Sequence, residues 1–124
     1  MIDDALYREE ILDHYHSSAH RGRLVSPDRQ VDMDNPLCGD RIHLEVALTD
    51  DKQAIDQIRF DGHGCAISQA AASILAENVE GKTTEEARAI TAEGMVELLG
   101  IPLTPARLKC GLLAWKALNR ALAE

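Results

Sequence analysis

Three cysteines and one aspartate carry the chemistry open to this chain: Cys38, Asp40, Cys65 and Cys110, each adjacent to a glycine. Cys38 and Asp40 stand two residues apart in Asn35-Pro36-Leu37-Cys38-Gly39-Asp40. Proline fixes its own φ and drives the preceding Asn35 out of the helical region. Gly39 lets the chain bend without a Cβ penalty, so thiol and carboxylate can aim at one point. A thiolate and a carboxylate at that reach make half of a tetrahedral metal site. The plainer reading is a turn with one buried cysteine and one hydrogen-bonding aspartate.

Cys65 follows Gly62-His63-Gly64 and opens a helical pattern, where the macrodipole and free N–H groups favour a negative sulfur. Cys110 points away from the stripe of Leu108, Leu112, Trp115, Leu118 and Leu122 that the last helix presents at steps of three and four. A cysteine serving as a small core residue should lie on that stripe. The glycines beside Cys65 and Cys110 leave room for an approaching group. One shared site of Cys38, Asp40, Cys65 and Cys110 is therefore the expectation, against three unrelated buried cysteines, which are common inside proteins. Three thiolates and one carboxylate suit zinc or an iron–sulfur unit, and the single hard oxygen would be the weaker ligand of a site able to open and exchange. A zinc hydrolase working through Asp40 or His63 is disfavoured, because four protein ligands leave no position for a bound water. Ser68 lies in the first turn of a helix with no base identifiable beside it.

The 124 residues are expected to form one domain, 1–124. One Trp, one Phe and two Tyr leave the core to aliphatic residues and alanine. A formal charge of −8 argues against a nucleic-acid binder and suits docking on a basic partner surface. The acidic start, Met1-Ile2-Asp3-Asp4, lacks the basic and apolar regions of a signal peptide, and no apolar run approaches a membrane span. A cytoplasmic protein with free or metal-bound thiols is expected, rather than a disulfide framework.

The elements that must position these residues follow from periodicity. Residues 3 to 16 read as a helix capped by Asp3 or Asp4, with Tyr7, Ile11 and Tyr15 every four residues and Leu12 beside them. His14, His16 and His20 read as a solvated helix end rather than a metal cluster. A short edge strand is expected around Val31 to Met33. Ile42, Leu44, Val46 and Leu48 alternate with Arg41, His43, Glu45 and Ala47, a half-buried strand on which His43 faces solvent. After the turn at Thr49-Asp50-Asp51-Lys52, Ile55, Ile58 and Phe60 mark an antiparallel return strand. Ile67, Ala70, Ala71, Ile74, Leu75 and Val79 continue as a helix ended by Gly81. The strand–Gly-x-Gly–helix order is not a dinucleotide fingerprint, since Ile67 stands where the third glycine belongs. Thr83 and Glu86 form a capping box for a helix reaching about Thr91, a short helix around Met95 to Leu99 ends at Gly100, and Pro102 and Pro105 punctuate a loop before the last helix. The class is α+β.

These residues resemble a known family. Leu6-Tyr7-Arg8-Glu9, Asp13-His14-Tyr15, the hexapeptide ending in Asp40, Gly62-His63-Gly64-Cys65-Ala66-Ile67-Ser68, and Arg107-Leu108-Lys109-Cys110 running into Trp115-Lys116-Ala117-Leu118 are similar to the IscU/NifU N-terminal/SufU family of iron–sulfur cluster assembly proteins. The resemblance spans nearly the whole chain. It implies a small three-stranded antiparallel sheet with an N-terminal helix and several C-terminal helices packed on it. It implies sulfur received from a cysteine desulfurase and either relayed to acceptor apoproteins or cluster carriers, or built into a transient [2Fe–2S] cluster. It makes Cys38, Asp40, Cys65 and Cys110 the ligands of zinc at rest or of the cluster. Cys38 would be the persulfide acceptor, freed when a desulfurase histidine takes its place on zinc. The IscU branch carries a histidine before its last cysteine, where Lys109 stands here, and a Leu-Pro-Pro-Val-Lys chaperone motif, which here reads Leu103-Thr104-Pro105-Ala106-Arg107. The Arg-x-Lys-Cys sequence is SufU-like, although the stretch from Cys65 to Cys110 is shorter than SufU's insertion requires. The alternative without the resemblance is a zinc-stabilised interaction domain.

Overall fold

The computed structural model describes residues 4–36 and 39–123, the side chains of residues 4–8 excepted. The expectations placed on Asp3, Leu37 and Cys38, and on the Tyr7 side chain, lie outside the described residues. The order of elements is α1 (Asp4–His16), β1 (Arg29–Asn35), β2 (Asp40–Leu48), β3 (Ile55–His63), α2 (Ala66–Val79), α3 (Thr84–Arg88), α4 (Ala92–Leu99) and α5 (Pro105–Leu122). The sheet is antiparallel in the order β1-β2-β3. It is the α+β arrangement with an N-terminal helix and several C-terminal helices expected from the sequence.

Alternation decides which sheet face is covered. Ile42, Leu44 and Val46 of β2 and Ile58 and Phe60 of β3 are buried beneath the helices. β1 adds Val31 and Met33, half-buried, and is longer than the edge strand foreseen because its ladder with β2 runs from Arg29 to Asn35. α2 and α5 cover this face, α1 packs on α2, and α4 lies against α2 and α5. α1 contributes Ile11 to the core and rests half-buried Tyr15 on it, while Leu12 is left exposed.

The opposite face is crossed by the chain between α1 and β1. At its start Phe60 N donates to His20 O at 2.8 Å and Gly22 N to Phe60 O at 2.9 Å, along the outer side of β3. Further along that side Ile55 N donates to Lys82 O (2.8 Å), Gly81 N to Ile55 O (2.9 Å), and Ile58 N to a Glu80 carboxylate oxygen (3.0 Å). The crossing segment then reaches the middle of the sheet, where Leu24 N donates to Glu45 at 2.7 Å.

Two helix boundaries differ from the sequence reading. The Thr83–Glu86 capping box forms, but α3 ends at Arg88 and Thr91 instead caps α4 by accepting from Gly94 N. Pro105 is not in a loop. It occupies the first turn of α5 behind the Thr104 cap, where its missing N–H removes no helical hydrogen bond.

The buried face of α5 is broader than the leucine stripe, of which Leu118 and Leu122 reach the core. Leu108 is exposed, and Leu112 and Trp115 are half-buried. Beside Leu118 and Leu122, the face turned inward carries Cys110, Leu113, Ala114, Ala117 and Ala121, which the stripe did not include. Alanines are buried on α2 as well, at positions 70, 71, 72 and 76. Small side chains let two helices approach closely, and the dispersion contacts of close packing replace the bulk that leucine would supply.

Candidate metal centre

Asp40 opens β2 and pairs across the ladder with Asn35, the last residue of β1. Gly39 ahead of it has φ +70°, a left-handed turn that glycine makes without strain. Asp40 is 1% exposed, which is costly for a carboxylate unless its oxygens are used. Its Oδ1 accepts the backbone N–H of Cys65 at 2.7 Å. Its Oδ2 receives the Cys65 thiol at 3.7 Å. One oxygen therefore braces the start of α2, and the other faces the sulfurs.

The glycines before Cys65 make this approach possible. A β-carbon at Gly62 would strike the Arg41 carbonyl oxygen, and one at Gly64 would strike Asp40 Oδ1. Gly64 also has φ +136°, so any other residue there would be strained. Cys65 then caps α2 in an extended conformation and remains exposed.

Cys110 arrives from the second turn of α5. Its thiol donates to Ala106 O at 3.8 Å, and the Asn35 amide donates to its sulfur at 3.9 Å. The expectation that Cys110 avoids the buried face of α5 is corrected: it is 2% exposed and lies on that face, at the end nearest the sheet turn. The room beside it is also used differently, since Gly111 makes way for Leu99 and Leu103 rather than for the site.

Ligand atoms of Asp40, Cys65 and Cys110 all lie within 4.8 Å of one another. Donors bound at about 2.0–2.3 Å around a tetrahedral ion stand roughly 3.5 Å apart, so small side-chain movements close this set on a metal. Two thiols and a buried carboxylate are a donor set that zinc accepts. Among the described residues it is the cluster of three or more His, Cys, Asp or Glu groups with this spacing. Cys38 is outside the described residues.

The remaining candidates fall elsewhere. Ser68 is buried, donates to Cys65 O at 3.0 Å and accepts from Gln69 at 3.1 Å, so its hydroxyl fastens the helix start. His63 lines a cavity of about 320 Å³ with Arg23, Arg41 and Asp61, on the open sheet face, and is not part of the cluster of Asp40, Cys65 and Cys110. His14 and His20 are not merely solvated. His14 Nδ1 lies 3.1 Å from Ser73 Oγ and its Nε2 3.5 Å from Glu77, and His20 lies 3.4 Å from Glu80, so both tie the α1 end to α2. Ser73, His14 and Glu77 fall in the order of a nucleophile, base and acid, but Ser73 is buried inside α2, whose helical N–H groups are committed and cannot form an oxyanion hole.

His43 also differs from expectation. Its side chain is 12% exposed and bridges Asp32 (2.9 Å) and Glu45 (2.7 Å), because the segment crossing the open face shields it. Burial raises the Glu45 carboxyl, but the Leu24 N–H, His43 and Arg23 outweigh it and hold the group below its usual range. Glu80 behaves alike: burial raises it, while the Ile58 N–H, Arg59 and His20 bring it down.

Known proteins are similar to this chain in sequence and in fold. A family model described as the NifU-like N terminal domain matches residues 6–124. The zinc-dependent sulfurtransferase SufU of Bacillus subtilis is 36% identical over 138 residues, covering 98% of this chain and 92% of its own. That alignment is longer than this 124-residue chain, so the relative carries residues that this chain lacks. The iron–sulfur cluster assembly scaffold protein IscU of Streptococcus pyogenes is 37% identical, covering 94% of this chain and 82% of its own. A crystal structure from Fervidobacterium islandicum, assigned to the cluster assembly scaffolds of the SUF system, superposes with a TM-score of 0.83 at 29% identity, covering 98% and 99% of the two chains. A NifU-like N-terminal protein from Brucella abortus shares the fold, with a TM-score of 0.74 at 23% identity over 96% and 93% of the chains.

Proposed function

The chain belongs to the NifU-like N-terminal domain family, and from that premise we propose that it works in iron–sulfur cluster biogenesis as a zinc-bound sulfur acceptor for a cysteine desulfurase. The observation that carries this reading is the convergence of Asp40, Cys65 and Cys110 at one end of the sheet. Cys38, two residues before Asp40 in sequence, completes the ligand set, and residues 1–124 act as one domain. These four residues would hold zinc, which would keep the three thiols deprotonated at neutral pH.

The reaction is a thiolate exchange. The Cys38 thiolate attacks the outer sulfur of a persulfide on the desulfurase cysteine. A new S–S bond forms on Cys38, the donor's S–S bond breaks, and its electron pair leaves on the desulfurase thiolate. Asp40 and Cys110 are buried and hold the inner side of the site, while Cys65 lies at its exposed rim, the side from which a partner approaches. The persulfide sulfur then passes to an acceptor apoprotein or a cluster carrier. Relay rather than assembly of a [2Fe–2S] cluster in place is favoured by Lys109, which stands beside Cys110 where a scaffold-type histidine would add a further ligand.

Turnover of the same organism's cysteine desulfurase, without iron and with the zinc-loaded protein, tests this reading. A large rise that requires both zinc and Cys38, and that Cys38→Ala abolishes, is the expected result. No rise overturns the relay, and anaerobic cluster reconstitution on wild type and Asp40→Ala then decides for the scaffold.

A further inference from the structure

Asn35 is read from sequence only as the residue before a turn proline, yet the structure buries it to 7% exposure and sets its amide against a site sulfur. We propose that Asn35 is a positioning residue for the metal centre, whose side-chain N–H holds the Cys110 sulfur in place when that sulfur binds metal. The inference rests on the reading of Asp40, Cys65 and Cys110 as ligands.

Three observations carry it. Asn35 Nδ2 stands 3.9 Å from Cys110 Sγ, both groups being buried. Asn35 is the ladder partner of Asp40, so the last rung between β1 and β2 bears a ligand on one strand and a holder of another ligand on the other. The third concerns the proton. As a thiol, Cys110 donates to Ala106 O at 3.8 Å. A coordinated sulfur has lost that proton and can only accept, so the Ala106 carbonyl no longer suits it. The Asn35 amide is a donor already buried beside it. It turns a helix-borne sulfur toward a sheet-borne carboxylate and fixes the register of α5 against the β1–β2 turn. Such supporting hydrogen bonds typically change metal affinity by about 10–100-fold.

Asn35→Leu keeps the branched four-atom shape of the side chain and removes the donor. Its zinc affinity is read by competition with a chromophoric chelator, its cobalt-loaded absorption spectrum by the sulfur-to-metal charge-transfer band, and its metal-free stability by urea. The expected result is a metal-free midpoint near wild type, a zinc dissociation constant raised about 10–100-fold, and a charge-transfer band moved to lower energy as the sulfur loses its hydrogen bond. Should Asn35→Leu fail to fold, Asn35→Ser, whose hydroxyl is too short to reach the sulfur, is expected to give the same two changes. Wild-type affinity and an unmoved band in the folded variant overturn the inference and leave the ligand set standing. A wild-type protein that binds neither zinc nor cobalt overturns the ligand set and the inference together.

Discussion

Gly64 lies so close to Asp40 that a β-carbon on it would fall within 2.8 Å of the Asp40 Cα and onto its carboxylate. The same glycine has φ +136°. Gly64→Ala therefore meets a clash and backbone strain at once, and is expected to cost about 2 kcal/mol or more and to abolish zinc binding. Gly39→Ala offers the contrast, since φ there is +70° and the space is open. It is expected to cost about 1–2 kcal/mol from the left-handed conformation alone. Urea unfolding of the two metal-free variants checks the difference.

Asp40 has two separable duties, because Oδ1 accepts from Cys65 N and Oδ2 faces the Cys65 thiol. Asp40→Asn can keep the first and gives up the second. Its metal-free stability is expected to stay within about 1 kcal/mol of wild type, with zinc affinity falling sharply. Asp40→Ala leaves the Cys65 N–H without that acceptor and is expected to lose about 1–3 kcal/mol as well. Equal zinc affinity in Asp40→Asn and wild type would remove the carboxylate from the ligand set.

Chelation separates a zinc-stabilised interaction domain from a folded domain that carries zinc. The core of Ile42, Leu44, Ile58, Phe60, Leu75 and Leu118 is aliphatic apart from one ring and does not draw on the site residues. Removing zinc is expected to leave far-UV circular dichroism and a cooperative melt, with stability lower only by the binding linkage, about 2.7 kcal/mol at a hundredfold excess over the dissociation constant. Loss of the melt on adding chelator would favour the interaction domain.

Acid should weaken the fold through Glu45 and Glu80. Both carboxyls sit below their ordinary value of 4.5 when folded. Their hydrogen bonds are thus fully present above that value and are lost as pH falls through the lower folded ones. Stability from urea unfolding is expected to be flat in this respect above about pH 5 and to fall below about pH 4.5. Glu45→Gln, which keeps an acceptor for Leu24 N but not the charge facing His43 and Arg23, should be less stable at neutral pH and less sensitive to acid. An acid slope unchanged in Glu45→Gln would clear Glu45 of the effect.

Much of this is legible from residue order, and the exceptions lie where distant segments or small residues decide the packing. The strands, α2 and the Thr83 capping box follow from alternation and caps, which are local. His43 was misplaced because its shield, the segment before β1, comes from 20 residues earlier and crosses a face that β2 alone marks as solvent-facing. On α5 the stripe marks only one edge of the buried face, with Leu118 and Leu122 in the core. It passes over the alanines because leucine is weighted above alanine, whereas helices that pack closely bury the small residues. Cys65 and Asp40 could be grouped from their glycines. Asn35 could not, since its role depends on the register of α5 against β1, which no local pattern in either element encodes.

A three-stranded sheet has two outer borders, and each is a template onto which a foreign strand can add. On β3 that template is already taken. Phe60 is paired by His20 and Gly22, Ile55 by Gly81 and Lys82, and the Ile58 N–H by Glu80, so the same chain seals this border from both directions. The other border belongs to β1, where Arg29, Asp32 and Asp34 place charges along a short strand and oppose self-templating. The molecule can thus keep the Cys65 thiol exposed while giving neighbouring copies little purchase for β-aggregation. Anything that reaches this thiol does so through turns, helix starts and side chains rather than by extending the sheet through β3.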